Sequence, residues 1–335
     1  MTSEAELIDR IRRAVPSQPG GILRLGIGDD AAILRCSGRP RPFPRPSANW
    51  ILTSDSFLES RHFLIDRHPP DSVGFKALAR ALSDAAAMGA NPKVFLLNLA
   101  LPFKLTSGWL DQFLQGMARA AREARVVLAG GDVAQSHSVA IFIALLGEVP
   151  SGRAVLRSGA RPGDGLFVSG TLGAAQLGLE TILEGGRQLT RASRSRLLQR
   201  HLYPTPRLAL GLWLARNKLA SAMIDTSDGF STALSQLCGA SRVGACVRSA
   251  GLPVVRIPTE LRRRKLSPGS LGLHGGEDYE LLFAVHPKSI PHIPESFEGV
   301  PISRVGTFVR RREILLLEAN GSTSVLQPSG WDHFR

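Results

Sequence analysis

SVGFKALARALSDAAAMGA (72–90) gives way to KVFLLNLALP (93–102) with only Asn91 and Pro92 between them. The first stretch has the apolar spacing of a helix, and the second is a short apolar run of strand length. The alternation continues outward, with NWILTSDS (49–56) before it and WLDQFLQGMARAAREA (109–124), RVVLAGGDV (125–133) and VAIFIALLGEV (139–149) after it. Strands alternating with helical patterns predict an α/β or α+β layer structure in which helices cover a sheet. Gly, Pro and Arg then crowd residues 148–165, and LFVSG (166–170) opens a new strand. That shift in composition puts a domain boundary near residue 150, giving domains 1–149 and 150–335.

The second half carries a helix after GTLGAA (170–175), helical sequence over 190–220, a strand at AMID (222–225), a helix at FSTALSQLCGAS (230–241), a strand at ELLFAV (280–285) and further strands over 302–318. SGRPRPFPRPSA (37–48) holds four prolines. Proline removes ladder donors, so this insert reads as a loop or hairpin tip.

A length of 335 residues suits about two domains. Hydrophobic residues make up 43% of the chain, and no stretch approaches the roughly 18 apolar residues of a membrane span. The opening MTSEAELIDRIRR is charged and amphipathic without the apolar centre of a secretory signal, so a cytoplasmic protein is expected. Cys36, Cys238 and Cys246 have no CxxC or CxxxH spacing, which argues against a zinc site and a disulfide framework. The net charge of +13 raises a nucleic-acid partner. The arginines are scattered, their main cluster (Arg262, Arg263, Arg264, with Lys265) lies in a loop-like stretch, and aromatics are only 6%. A solvated basic surface is the simpler reading.

Against this basic background, seven carboxylates stand beside Gly, Ser or Thr: Asp29 and Asp30 in GIGDDAA, Asp55 in TSDS, Asp84 in LSDAA, Asp132 in GGDV, and Asp225 and Asp228 in IDTSDGF. Singly, such residues are helix caps or turn residues as often as ligands. Collectively they suit Mg²⁺, which takes a few carboxylates and shares substrate phosphates. Asp55, Asp132 and Asp225 each follow an apolar run and are expected at strand ends, facing a shared crevice. Neither GxxxxGK[ST] nor the protein-kinase motif set occurs, so any nucleotide is held another way. SGTLG (169–173), between a strand and a helix, offers exposed N–H groups and a helix dipole to a phosphate.

GIGDDAA (26–32), TSD (53–55) with His62 seven residues after Asp55, LSDAAAMGA (82–90), AGGD (129–132), LRSGARPGD (156–164), IDTSDG (224–229), GGEDYELLF (275–283) and GWDHF (330–334) together resemble the thiamine-monophosphate kinase family. That family lies within the superfamily resembling aminoimidazole ribonucleotide synthetase. The resemblance implies a two-domain fold: an N-terminal small-sheet domain with two covering helices, binding ATP and Mg²⁺ and forming a homodimer, and a larger C-terminal α/β domain. It implies transfer of the ATP γ-phosphoryl group to thiamine monophosphate, with several Mg²⁺ ions and no general base. By motif position it makes Asp30, Thr53, Ser54, Asp55, Asp84, Asp132, Asp225 and Asp228 metal-site residues. Gly131, Asp132, Arg157 and Ser227 would contact ATP, and His62, Glu277 and Trp331 the thiamine phosphate.

Three departures stand out. Val133 follows GGD where the family usually has threonine, Arg80 and Ala81 replace a common Val-Asn pair, and the 37–48 insert is unusual. Other readings are another ATP-using member of the superfamily (a purine-pathway synthetase, a hydrogenase-maturation protein or a selenophosphate synthetase), a binding protein that has lost catalysis, and an arginine-rich nucleic-acid binder. Lost catalysis predicts damaged acidic motifs, whereas all seven carboxylates are present.

Overall fold

The structure is a computed structural model that describes Glu6, Ile8 and residues 23–35, 48–105, 107–184, 189–259, 261 and 266–333. The basic cluster at 262–265, Cys36, positions 37–47 of the proline-rich insert and most of the opening segment lie outside the described residues.

The first sheet has six strands: β1 (Leu23–Leu25), β2 (Ala32–Arg35), β3 (Ala48–Leu58), β4 (Asn91–Leu101), β5 (Val127–Gln135) and β6 (Ala140–Pro150), in the order β1-β2-β3-β6-β4-β5. All neighbours pair antiparallel except β4 and β5, which are joined in parallel through a helical crossover. Two helices, α1 (Pro70–Ala87) and α2 (Ser107–Ala124), cover one face. Alternation along the long strands sends Ile51, Phe95, Leu97, Ile141, Ile143 and Leu145 into this core.

Small residues let α1 pack on two neighbours at once. A Cβ at Gly116 of α2 would meet the Asp71 carbonyl oxygen at 1.7 Å, so the two helices approach at backbone contact there. Gly211 of α5 (Leu208–Arg216) similarly sits against the Ala86 carbonyl oxygen. α1 is therefore buried nearly all round and joins both halves of the protein, its polar side chains Lys76, Arg80, Ser83 and Asp84 each held by a polar partner.

The second sheet contains β7 (Gly165–Ser169), β8 (Ala220–Asp225), β9 (Gly244–Arg248), β10 (Leu281–Val285), β12 (Val300–Val309), β13 (Ile314–Leu317) and β14 (Thr323–Val325), ordered β14-β13-β9-β12-β7-β10-β8, with β11 (Ser296–Phe297) paired to β12. Its pairs are antiparallel except β13 with β9. β7 and β10 are buried on both faces, which explains their unbroken apolar sequences. Leu166, Val168, Leu282 and Ala284 pack with α6 (Phe230–Ser241), while Phe167, Leu281 and Phe283 pack with α5. The remaining described α-helices are α3 (Ala174–Leu183), α4 (Arg191–Leu202) and α7 (Pro268–His274). No helix among the described residues is long and apolar enough to cross a membrane.

Candidate active site

Two cavities adjoin where α1 meets the second sheet. The smaller, about 420 Å³, is lined by Asp29, Asp30, Thr53, Ser54, Asp84, Arg157, Asp225, Ser227 and Asp228 among others. Ser227 and Asp228 also line the larger, about 590 Å³, together with His62, Arg80, Glu277 and Trp331. The loop after β8 thus forms a wall common to both.

Carboxylate oxygens of Asp30, Asp84 and Asp225 all lie within 4.8 Å of one another. Three elements bring them together: the turn before β2, the last turns of α1 and the end of β8. Hydroxyls hold two of them, with Thr53 Oγ1 donating to Asp84 Oδ2 and Ser83 Oγ donating to Asp225 Oδ2 at 2.6 Å. Ser227 Oγ donates to the other Asp225 oxygen at 3.0 Å. Asp30 Oδ1 accepts from Arg157 at 2.8 Å, whereas its Oδ2 is buried without a hydrogen-bond partner. Burial and then mutual repulsion raise the carboxyls: Asp225 to about 6, Asp29 to about 7, and Asp84 well above the usual range. An orphaned buried oxygen facing two repelled carboxylates is the environment a hard divalent cation satisfies, and these donors fit Mg²⁺.

The larger cavity has a different chemistry. Glu277 lies on its wall with φ 66° in the left-handed region, and the buried Tyr279 two residues on also has a left-handed φ of 51°. Strained backbone of this kind persists only where its surroundings enforce it. Here Glu280 accepts a bidentate pair from Arg207 and a bond from Ser169, and Lys76 Nζ lies 2.8 Å from Glu277 Oε2. Burial pushes the Glu277 carboxyl up, but Lys76, His201 and Arg80 outweigh it and hold it at about 2. Burial, followed by the Arg80 charge, lowers His62 to about 3, so this histidine is neutral. Trp331 is 46% exposed and therefore does not anchor the core. Its backbone N–H donates to the Asp228 carbonyl, and its indole N–H to His333 Nδ1.

The structure gathers most of the expected residues and corrects several placements. Asp55 is not at a strand end: it lies within β3, paired with Ile143, and its carboxylate is 3.5 Å from Arg80. Asp132 likewise lies within β5, paired with Asn98, on the exposed edge of the first sheet. Only Asp225 ends its strand. The register Asp55–Ile143–Leu97–Gly131 puts Gly131 three strands from Asp55, roughly 14 Å at ordinary strand spacing. Gly131 and Asp132 thus stand apart from the acidic cluster. The SGTLG helix start is closed to a phosphate, because the Asp278 carboxylate accepts from Gly173 N and Ala175 N. Sequence reading missed Ser83, Lys76, His201 and Arg80 as site residues, since a lone Ser, Lys, His or Arg inside a helix carries no motif signal.

Residues 28–149 match the family described as AIR synthase related protein, N-terminal domain, and residues 161–316 match its C-terminal domain. Thiamine-monophosphate kinase of Synechococcus elongatus is 34% identical over 92% of this chain and 91% of that protein. The Escherichia coli K12 enzyme of that name is 35% identical over 93% and 92% respectively. A solved structure described as AaThiL complexed with AMPPCP and TMP superposes with TM-score 0.82 at 32% identity, covering 99% of this chain and 97% of that one. Hydrogenase maturation protein HypE, at 20% identity and TM-score 0.68, shares the fold. With a third of its residues identical to these kinases, and the likeness running through both halves, the chain belongs to the thiamine-monophosphate kinase family.

Proposed function

We propose that the protein transfers the γ-phosphoryl group of ATP directly to thiamine monophosphate, giving thiamine diphosphate, and does so in the cytoplasm with several Mg²⁺ ions. The observation that carries this reading is the pair of cavities with a common wall at Ser227 and Asp228, one acidic and one lined by neutral histidine, Glu277 and Trp331. The solved relative complexed with AMPPCP and TMP supports a nucleotide and an acceptor side by side in this fold.

Asp30, Asp84 and Asp225 are assigned as the central cation ligands, with Thr53, Ser54, Asp55 and Asp228 around them. Mg²⁺ there would neutralise charge on the polyphosphate and align it for in-line displacement. Arg157 and Ser227 serve the nucleotide; Arg157 Nε is buried without a hydrogen-bond partner, and its planar fork matches phosphate oxygens. The acceptor phosphate, with a second pKa near 6, is already an anionic nucleophile at neutral pH, so no general base is needed. On the other side His62, Glu277 and Trp331 hold the thiamine moiety. The carboxylate faces its positive charge, and the exposed indole offers a stacking surface.

Residues 1–149 form, in this reading, the dimerisation and nucleotide domain, and 150–335 complete both pockets. Leu52, Leu96 and Phe142 project from the face of the first sheet that α1 and α2 leave open, and each is more than 40% exposed. Asp132 projects from the same face on β5. An apolar face of this kind marks a protein interface. A second copy laid on it would carry its own Gly131 and Asp132 toward the acidic cavity. Leu96→Asp is expected to convert the dimer to a monomer in light scattering coupled to size exclusion, with the helical circular dichroism retained. A dimer unchanged in mass would remove this face from the assembly.

The test of the activity is thiamine diphosphate formation from ATP, Mg²⁺ and thiamine monophosphate, with thiamine and a metal-free sample as controls. Product only with the monophosphate and metal is expected. Binding of both substrates without turnover would overturn the assignment. Trp331→Ala is expected to weaken thiamine monophosphate binding about tenfold, in line with a desolvated cation–π contact, and to leave ATP binding unchanged in calorimetry. An equal loss of both would make the tail structural.

A further inference from the structure

Arg80 lies one turn before Asp84 on α1, and its side chain is only 13% exposed. It lines the larger cavity alongside Ser227 and Asp228, the residues common to both cavities. Its guanidinium is held on several sides: one terminal nitrogen donates to the Tyr279 hydroxyl at 3.2 Å, and the other lies 3.5 Å from Asp55 Oδ1. Its carbon sits 5.5 Å from the centre of the Phe57 ring. Nε is buried and has no hydrogen-bond partner. A guanidinium carries five N–H donors in a rigid fork, so this one is oriented without being saturated.

The charges around it sharpen its role. Burial keeps His62 and His68 neutral, at about 3 and about 4, and lowers His274 as well. Lys76 is engaged with Glu277, and Arg61 is exposed. Burial works against the Arg80 charge, but Tyr279, Asp55 and Glu277 outweigh it and hold the guanidinium ionised. The cavity wall therefore presents Arg80 as its largely buried, permanently charged cation, alongside the carboxylates Glu180, Asp228 and Glu277. A ligand combining a cationic ring system with an anionic phosphate meets both.

We propose that Arg80 is a specificity-determining residue of the acceptor site, its guanidinium binding the acceptor phosphate beside Ser227 and Asp228 and so separating thiamine monophosphate from thiamine. This rests on thiamine monophosphate being the acceptor. A cation fixed at that place also lessens the repulsion between the acceptor phosphate and the polyphosphate it approaches. Because Asp55 and Tyr279 hold the fork before the ligand arrives, little side-chain entropy is lost on binding.

Calorimetry on the full chain with thiamine monophosphate and, separately, with thiamine reads this selectivity directly. In Arg80→Met, affinity for the monophosphate is expected to fall roughly 10- to 100-fold, the range for a hydrogen bond to a charged group. Affinity for thiamine stays within about threefold of the unaltered chain, so the ratio of the two collapses. Arg80→Lys keeps a point charge without the fork and restores the ratio in part. An unchanged ratio overturns the proposal, and so does an equal loss for both ligands with a lowered melting temperature, which would make Arg80 a strut for Asp55 and Tyr279. If Arg80→Met does not fold, Arg80→Lys carries the same comparison, and a full wild-type ratio in that variant counts against the fork. Failure of the kinase reading shows separately, as absence of monophosphate binding by the unaltered chain, and it removes this inference too.

Discussion

Asp84→Asn is expected to lower turnover by at least about 100-fold, the loss seen when one preorganised electrostatic contact to a transition state is removed. The substitution preserves volume, and the asparagine carbonyl can still accept from Thr53, so the fold is retained. The same change should raise the melting temperature of the metal-free protein, because it removes one of three carboxylates crowded within 4.8 Å. Asp225 at about 6 and Asp29 at about 7 bind protons more tightly in the folded state than in the unfolded one. Metal-free stability therefore falls as pH climbs from about 4 through 7, the reverse of a salt-bridged aspartate. Mg²⁺ should flatten that slope and raise the melting temperature at neutral pH in the unaltered chain, and do so less in Asp84→Asn. Thermal melts across pH with Mg²⁺ or a chelator check both effects. Near-normal turnover in Asp84→Asn, or melts indifferent to Mg²⁺, would remove the cation from this cluster.

Glu277→Gln is expected to cost about 3–5 kcal/mol of stability, the range for stripping a buried charge of its partner. Lys76 is 2% exposed and fully dependent on this carboxylate, since burial already pulls its own pKa down. The left-handed turn at 277 does not change with an isosteric side chain, so the loss reports the charge. The double variant Lys76→Met with Glu277→Gln should recover part of the loss, as required of two groups that interact directly. Denaturant titration of the four proteins provides the cycle. Additive losses would mean that the pair contributes little and that Glu277 is held by the backbone alone.

The long elements were legible in the sequence because their burial is one-sided or complete. NWILTSDS became β3, SVGFKALARALSDAAAMGA became α1, and ELLFAV became β10, each announced by apolar period or run. Short pieces such as β1, β2 and β14, three or four residues each, were too brief to show a period. Strand order was not legible at all, since β6 inserts between β3 and β4 and β13 lies parallel to β9 through contacts distant in sequence. That is why Asp132 looked equivalent to Asp225. Both follow apolar runs, but Asp132 lies inside its strand on the open edge of the first sheet, whereas Asp225 is the last residue of β8. The hydrogen-bond accounting of α3 was equally hidden, because its cap arrives from Asp278, 105 residues beyond Gly173. Arg80 was visible as an oddity beside LSD. Only the packing of α1 against β3 and the residues at 275–280 gives it neighbours.

Ser227 and Asp228, which line both cavities, also impose a thermodynamic condition. One short loop cannot answer to a ligand on one side without presenting a changed surface on the other. Whatever factor the nucleotide imposes on acceptor affinity, the acceptor imposes on nucleotide affinity in equal measure. The same reciprocity governs the departing pair: the product that leaves first resets the grip on the one that remains.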